Sequence, residues 1–365
     1  MAFILTFLGK GGVGRTTLTV AAAKKFASEG KRVLFASQEP APVLGVLLGS
    51  TPGPDPENIA PNLRAVQLQT AVLLERNWDE LKRQESQYLR TPFLKDVFGQ
   101  ELAVLPGMDS ALALNALREY EASGQYDVIV YDGAGDQITL RMLGMPETLS
   151  WYIRRFRQVF VNSDLGRVIT PLLQPIAAAV LNINWTDDLF NQPAAQQAGN
   201  LLEQGRQAVS DPNRVAAYLV TTPETSAIAM AKYLWGTAQQ AGVTVGGVIL
   251  NRANPADSLE EFAPLPVTPV PVQSINDWQP MIDALPDFSS QVTQVPRPIA
   301  INVADRKVSL FLPGFDKQQV KLTQYGPEIT IEAGDQRRNM MLPPELSGKP
   351  VTGAKFQDGF LIISF

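Results

Sequence analysis

Gly9-Lys10-Gly11-Gly12-Val13-Gly14-Arg15-Thr16-Thr17 reads GKGGVGRTT. It meets the phosphate-loop pattern G-x-x-x-x-G-K-[ST] at every fixed position but one, with Arg15 where the pattern has Lys. Upstream, Phe3 to Leu8 (FILTFL) is apolar enough for a buried parallel strand. Downstream, Thr16 to Ala27 predicts a helix. A glycine-rich turn between such a strand and helix aims backbone N–H groups at one point, and the helix N-terminus adds partial positive charge. A polyphosphate fits there, with the Thr16 hydroxyl placed for Mg²⁺; the bland alternative is a turn that holds no ligand.

The same alternation continues along the chain. Lys31 to Ala36, Asn62 to Leu68, Tyr126 to Tyr131, Val215 to Thr221 and Val245 to Asn251 predict strands. Ala71 to Arg83, Ala111 to Glu121 and Glu224 to Ala241 predict helices between them. Strands alternating with helices imply an α/β fold with a doubly wound, mostly parallel sheet. Residues 147–210 lack strand patterns and are expected to form an inserted helical subdomain. Residues 284–298, rich in Pro and Ser, are expected to link a domain of residues 1–283 to an all-β sandwich of residues 299–365. Asp358-Gly359 suits a two-residue hairpin turn within that sandwich.

The chain of 365 residues has a net charge of -5, which gives no global basic field for nucleic acid. It contains 0 Cys and 0 His, which removes thiolate and imidazole chemistry, zinc sites of the usual type and iron–sulfur clusters. Catalysis is left to carboxylates, Lys, Arg, hydroxyls, backbone amides and a borrowed Mg²⁺. No leader or membrane span is visible, so a soluble, cytoplasmic protein is expected.

Lys10, directly after the first Gly, makes the loop similar to that of the dimeric deviant-loop ATPases. Two further stretches narrow this. Ser37-Gln38-Glu39-Pro40-Ala41-Pro42-Val43-Leu44 and the segment from Asp132 to Leu143 (DGAGDQITLRML) resemble the two switch segments of the arsenite-pump ATPases and the Get-type ATPases that target tail-anchored proteins. Pro106-Gly107-Met108-Asp109 resembles a further stretch of that family. The resemblance covers most of residues 1–283 and is weakest in the helical insert. It implies ATP or ADP with Mg²⁺ as cofactors, and hydrolysis of ATP to ADP and phosphate. It implies that Lys10 reaches the nucleotide of a partner subunit, that Asp132 holds the hydration shell of Mg²⁺, that Glu39 orients the attacking water, and that Asn251 reads the adenine edge. The alternatives are a solvated loop lysine for Lys10, a capping acid for Asp132, a solvated acid for Glu39 and a turn former for Asn251.

Departures from the family pattern bear on turnover. Arg15 is cationic but bulkier and planar. Glu39 is one methylene longer than the family's Asp, and a misplaced water slows attack. The family's two His positions are Pro42 and Ile138 here, and Gly135 and Asp136 alter the second switch. Nucleotide binding is therefore expected more firmly than hydrolysis, and a nucleotide-binding holdase is the alternative. Leu149, Ile153, Phe156 and Phe160 recur on one helix face, and Leu172, Leu173, Ile176, Val180 and Leu181 follow. These residues suit the groove that the family uses for a hydrophobic client helix, a lipid, or ordinary core. The stretch from Leu310 to Asp316, with Met341 to Glu345 and Phe356 to Ile363, resembles the α-crystallin domain of small heat-shock proteins. The implied whole is a homodimeric targeting factor or chaperone for a membrane-protein or other apolar client.

Overall fold

The computed structural model describes residues 1–88, 107–162, 192–254, 259–272, 277–334 and 336–365. The apolar run after Ala2 forms β1 (Phe3–Leu8), which turns through the glycine-rich loop into α1 (Arg15–Ser28). There follow β2 (Val33–Ser37), α2 (Ala41–Leu48), β3 (Glu57–Ala60), β4 (Leu63–Gln67), α3 (Thr70–Tyr88), α4 (Met108–Ala122) and β5 (Val128–Asp132). After them come α5 (Asp136–Asn162), α6 (Gln192–Ser210), β6 (Val215–Thr221), α7 (Thr225–Gln240), β7 (Thr244–Asn251) and β8 (Val267–Val270). Two short helices, α8 (Gln279–Ala284) and α9 (Phe288–Gln291), complete this part.

The eight strands form one sheet in the order β3-β4-β2-β5-β1-β6-β7-β8. All neighbours are parallel except β3 with β4. Central strands buried on both faces read as continuous apolar runs, and β2, β5, β6 and β7 are buried at every position. β1 sits at the middle, with β5 and β6 on its two sides, so the carboxyl ends of β1, β2, β5, β6 and β7 lie near the crevice where such sheets bind ligands.

Residues 284–298 are packed, contrary to the expected linker. Leu285, Phe288 and Val292 are buried, and Phe288 stacks edge-on against Tyr218 (4.8 Å) and Phe7 (5.6 Å). The Tyr218 hydroxyl donates to the Phe288 carbonyl at 2.9 Å. Spacings of three and four residues put these apolar side chains on one face, a pattern that the Pro and Ser composition obscures. The helical region also begins earlier than expected: α5 starts at Asp136, within the second switch segment, and runs through Pro146 without ending. Ile153, Phe156 and Phe160 lie outside the described side chains, and residues 172–181 outside the described residues. So does Pro106.

The remaining strands are β9 (Ile299–Asn302), β10 (Lys307–Phe311), β11 (Val320–Tyr325), β12 (Glu328–Ala333), β13 (Gln336–Met341), β14 (Gly353–Gln357) and β15 (Phe360–Ser364). They form two antiparallel sheets, β14-β15-β10-β9 and β11-β12-β13, around a core that includes Leu310, Ile329, Ile331 and Ile363. Asp358 and Gly359 both have positive φ (52° and 75°), as a two-residue hairpin of the primed type requires. This sandwich rests on α5 and α7. Phe311 stacks on Trp235 at 5.4 Å, and the Trp151 indole donates to Glu328 at 3.1 Å. Arg338, nearly buried, pairs with Glu147 at 3.0 Å and donates to the Gln239 carbonyl at 3.1 Å.

Candidate functional site: a phosphate loop bridged to two switches

The loop after β1 needs glycine at specific points. A methyl group on Gly9 would run into the Val220 carbonyl of β6. Gly14, at the N-cap of α1, has φ of 94°, a conformation that favours glycine, and an added Cβ would lie 2.5 Å from the Asn251 amide nitrogen. The loop and the start of α1 form one side of an open cleft of about 630 Å³, with Glu39 and Pro42, Val43, Val46 and Leu47 around α2 on the other. That size suits a small-molecule ligand.

Arg15 enters the cavity wall from the first turn of α1 and is tied down at both ends of its guanidinium. Nη1 donates to Asp136 Oδ1 at 3.1 Å; Nη2 donates to Glu39 Oε1 and to the Gly133 carbonyl, each at 3.1 Å. Nε lies 3.6 Å from Asp132 Oδ1. Burial alone would pull the guanidinium down, but Asp136, Asp132 and Glu39 together carry it above its ordinary value. One side chain thus connects the phosphate loop to the first switch through Glu39 and to the second through Gly133 and Asp136.

Asp132 ends β5 and is 1% exposed. Burial pushes its carboxyl up to about 6, against the pull of Arg15 and with the added push of Glu39. Oδ2 accepts from the Ser37 hydroxyl at 3.4 Å, while Oδ1 has no hydrogen-bond partner. A buried carboxylate oxygen without a donor suits a hard cation, which takes oxygen ligands and keeps several waters. Asp132 and Thr16 therefore fit Mg²⁺ brought in with a nucleotide. Among the described residues, no group of three or more acidic side chains could hold a metal ion by itself.

The other expected site residues fall around the loop in different ways. Lys10 reaches along its own chain, donating to the Ser226 hydroxyl at 3.0 Å and lying 3.7 Å from Glu224, at the start of α7. Asn251 ends β7 under the loop. Its Nδ2 donates to the Val13 carbonyl at 2.8 Å, and its Oδ1 accepts from the Arg252 amide. In the structure its carboxamide props the loop from below. Gly11, Gly12 and Thr17 line the cavity, and Val13 packs beneath it.

Asp136 is the functional residue that the sequence reading left out of the site. It begins α5, accepts the Gly9 amide at 2.9 Å and holds Arg15. The signal was an acid in the second switch of a chain whose loop carries Arg instead of Lys.

Comparisons with known proteins identify the family. Residues 1–264 match the family described as "Anion-transporting ATPase", and residues 304–365 match an "HSP20-like domain found in ArsA". A "Putative arsenical pump-driving ATPase" of Chlorobaculum tepidum is 27% identical over 99% of this chain and 95% of its own length. "Protein Rv2184c" of Mycobacterium tuberculosis is 32% identical over 73% of this chain and 63% of its own length. An "ATPase ASNA1 homolog" of Cryptosporidium parvum is 35% identical over 39% of this chain and 37% of its own length. With the phosphate loop, both switch segments and a family match that covers β1 to β7 of the sheet, the chain belongs to the anion-transporting (ArsA) ATPase family and carries that family's HSP20-like domain at residues 304–365.

Proposed function

We propose that this chain is an ATP-binding homodimer that hydrolyses ATP and couples its nucleotide state to the capture of a hydrophobic client, such as the apolar segment of a membrane protein. The observation that carries the reading is the phosphate loop set against Asp132, whose Oδ1 accepts no hydrogen bond and faces Arg15 Nε at 3.6 Å. Loop amides and the α1 N-terminus face one cavity, with Thr16 and Asp132 suited to a cation beside it. Mg²⁺, when bound, would neutralise charge on the phosphate chain. The protein's own part is positioning: Arg15 presents a buttressed cation, Lys10 a second cation from the loop, and Glu39 a carboxylate that orients water.

Homodimerisation and client capture follow from the resemblance to the Get-type ATPases, and exposed apolar side chains on α2, α5 and α7 support them. Val43 and Val46 on α2, Ile138 on α5 and Met230 on α7 are 40–70% exposed. Purified protein should bind an apolar helical peptide more tightly in one nucleotide state than in another. Client affinity indifferent to ATP, ADP and their absence would end this reading.

One observation favours a second reading, a nucleotide-binding holdase with little turnover. Glu39, the candidate water-orienting acid, is held by Arg15 at 3.1 Å. Steady-state phosphate release with Mg²⁺ separates the two readings, with Arg15→Lys and Glu39→Asp as comparisons. Release by the unaltered chain above background favours the ATPase, and release only in the variants favours the holdase.

A further inference from the structure

Asp136 lies directly behind the phosphate loop, bonded to its first glycine and to Arg15 of the cavity wall, and nothing in the family match assigns it a role. Its Oδ1 accepts both the Gly9 amide at 2.9 Å and Arg15 Nη1 at 3.1 Å. Glu39 takes the other arm of the same guanidinium, and Asp132 faces its Nε. Three carboxylates thus surround one guanidinium at the floor of an anion cradle. The pairs are well shielded, with side chains 16% exposed at Arg15, 15% at Asp136 and 23% at Glu39. A phosphate chain approaching Arg15 meets a cation whose charge is already outnumbered.

We infer that Asp136 is a specificity-determining residue of the phosphate loop: acting with Glu39, it makes the cradle accept a nucleotide's phosphate chain together with a divalent cation and disfavour the free chain. The inference rests on the proposed nucleotide site and deepens it. Repulsion scales with the charge of the incoming group, and chelation lowers that charge, so the carboxylates penalise the free nucleotide far more than the chelated one. A cation beside Asp132 also offsets the acidic surroundings from the protein side. A lysine at position 15 offers three donors on one point charge and cannot span Asp136, Glu39 and the Gly133 carbonyl as a planar guanidinium does. The acid at 136 and the arginine at 15 therefore work as a matched pair.

The test is isothermal titration of the full chain with ADP, once with excess Mg²⁺ and once with excess EDTA, for the unaltered protein and for Asp136→Asn. Asn keeps an oxygen for the Gly9 amide and removes only the charge. The unaltered protein should bind Mg²⁺-ADP more tightly than free ADP. In Asp136→Asn the free nucleotide should bind roughly tenfold more tightly, with the chelated form changed much less, so that the ratio of the two constants falls by about the same factor. A purely structural role would weaken both forms together and leave the ratio unchanged, and that result overturns the inference while the nucleotide site stands. If Asp136→Asn gives no folded protein, Glu39→Gln decides: a fall in the ratio of roughly threefold or more supports the inference, and an unchanged ratio overturns it. Absence of binding by the unaltered protein under both conditions overturns the inference and the site beneath it.

Discussion

Asp132 is held at the end of β5 in a charged form that its surroundings oppose. In the unfolded chain it titrates near 3.8, and in the fold it is pushed up to about 6. The native state therefore binds the proton more tightly. Stability from this group is highest below about pH 4 and falls as pH rises through about 6. At pH 7 and without Mg²⁺ the buried charge costs about 1–3 kcal/mol. Asp132→Asn should accordingly raise the stability of the metal-free protein at pH 7 by that order in chemical denaturation, while removing Mg²⁺-dependent tightening of nucleotide binding. No gain in stability would show that Arg15 offsets the burial of Asp132 more fully than its pushed-up carboxyl implies. The loop glycines and Thr16 were legible from the phosphate-loop pattern, and Asp132 from its resemblance to the family's second switch. Asp136 was not, since its role depends on where a guanidinium from another segment comes to lie. Asn251 was placed at the right strand end, but its hydrogen bonds to Val13 and Arg252 depend on side-chain rotation that no spacing encodes.

At the scale of elements, α5 connects two parts of the molecule that sequence alone keeps apart. Its first residue holds Gly9 and Arg15, and its later turns carry Glu147, Trp151 and Arg154 against the sandwich. Glu147 and Arg338 are 15% and 5% exposed, so removing Arg338 takes the direct partner from a largely buried carboxylate, which keeps only the longer-range pull of Arg206. Arg338→Met should cost about 3–5 kcal/mol in denaturant melts. Combined with Glu147→Gln it should cost less than the sum of the two single changes, the sign of a direct pair. Additive losses would show that the ion pair does not hold the docking. The strands of the sheet were readable from apolar runs with turn signals between them. The edge strands β3 and β8 were not, because β3 is largely exposed and β8 contains Pro269. Residues 284–298 misled because composition outweighed the periodicity of Leu285, Phe288 and Val292.

Among the described residues, the sandwich and the α/β part pack directly against each other. Phe311 of the sandwich joins the core that lies against one face of the large sheet, and Gly236 on α7 has no room for a methyl because Phe315 and the Pro313 carbonyl lie against it. Scanning calorimetry of the full chain should therefore give one cooperative unfolding transition, whereas two well-separated transitions would mean that the sandwich unfolds independently. Among the described residues no helix is long and apolar enough to cross a membrane. The central claim is that the loop from Gly9 to Thr17 cradles the phosphates of a nucleotide, and Gly11 offers the most direct test. Open space surrounds the position, so a side chain there leaves the fold intact. Titration of Mg²⁺-ADP into the full chain should show saturable binding at one site per chain, and Gly11→Glu, folded as judged by its melting curve, should lose it. Binding that survives Gly11→Glu unchanged would place the nucleotide elsewhere and contradict the account.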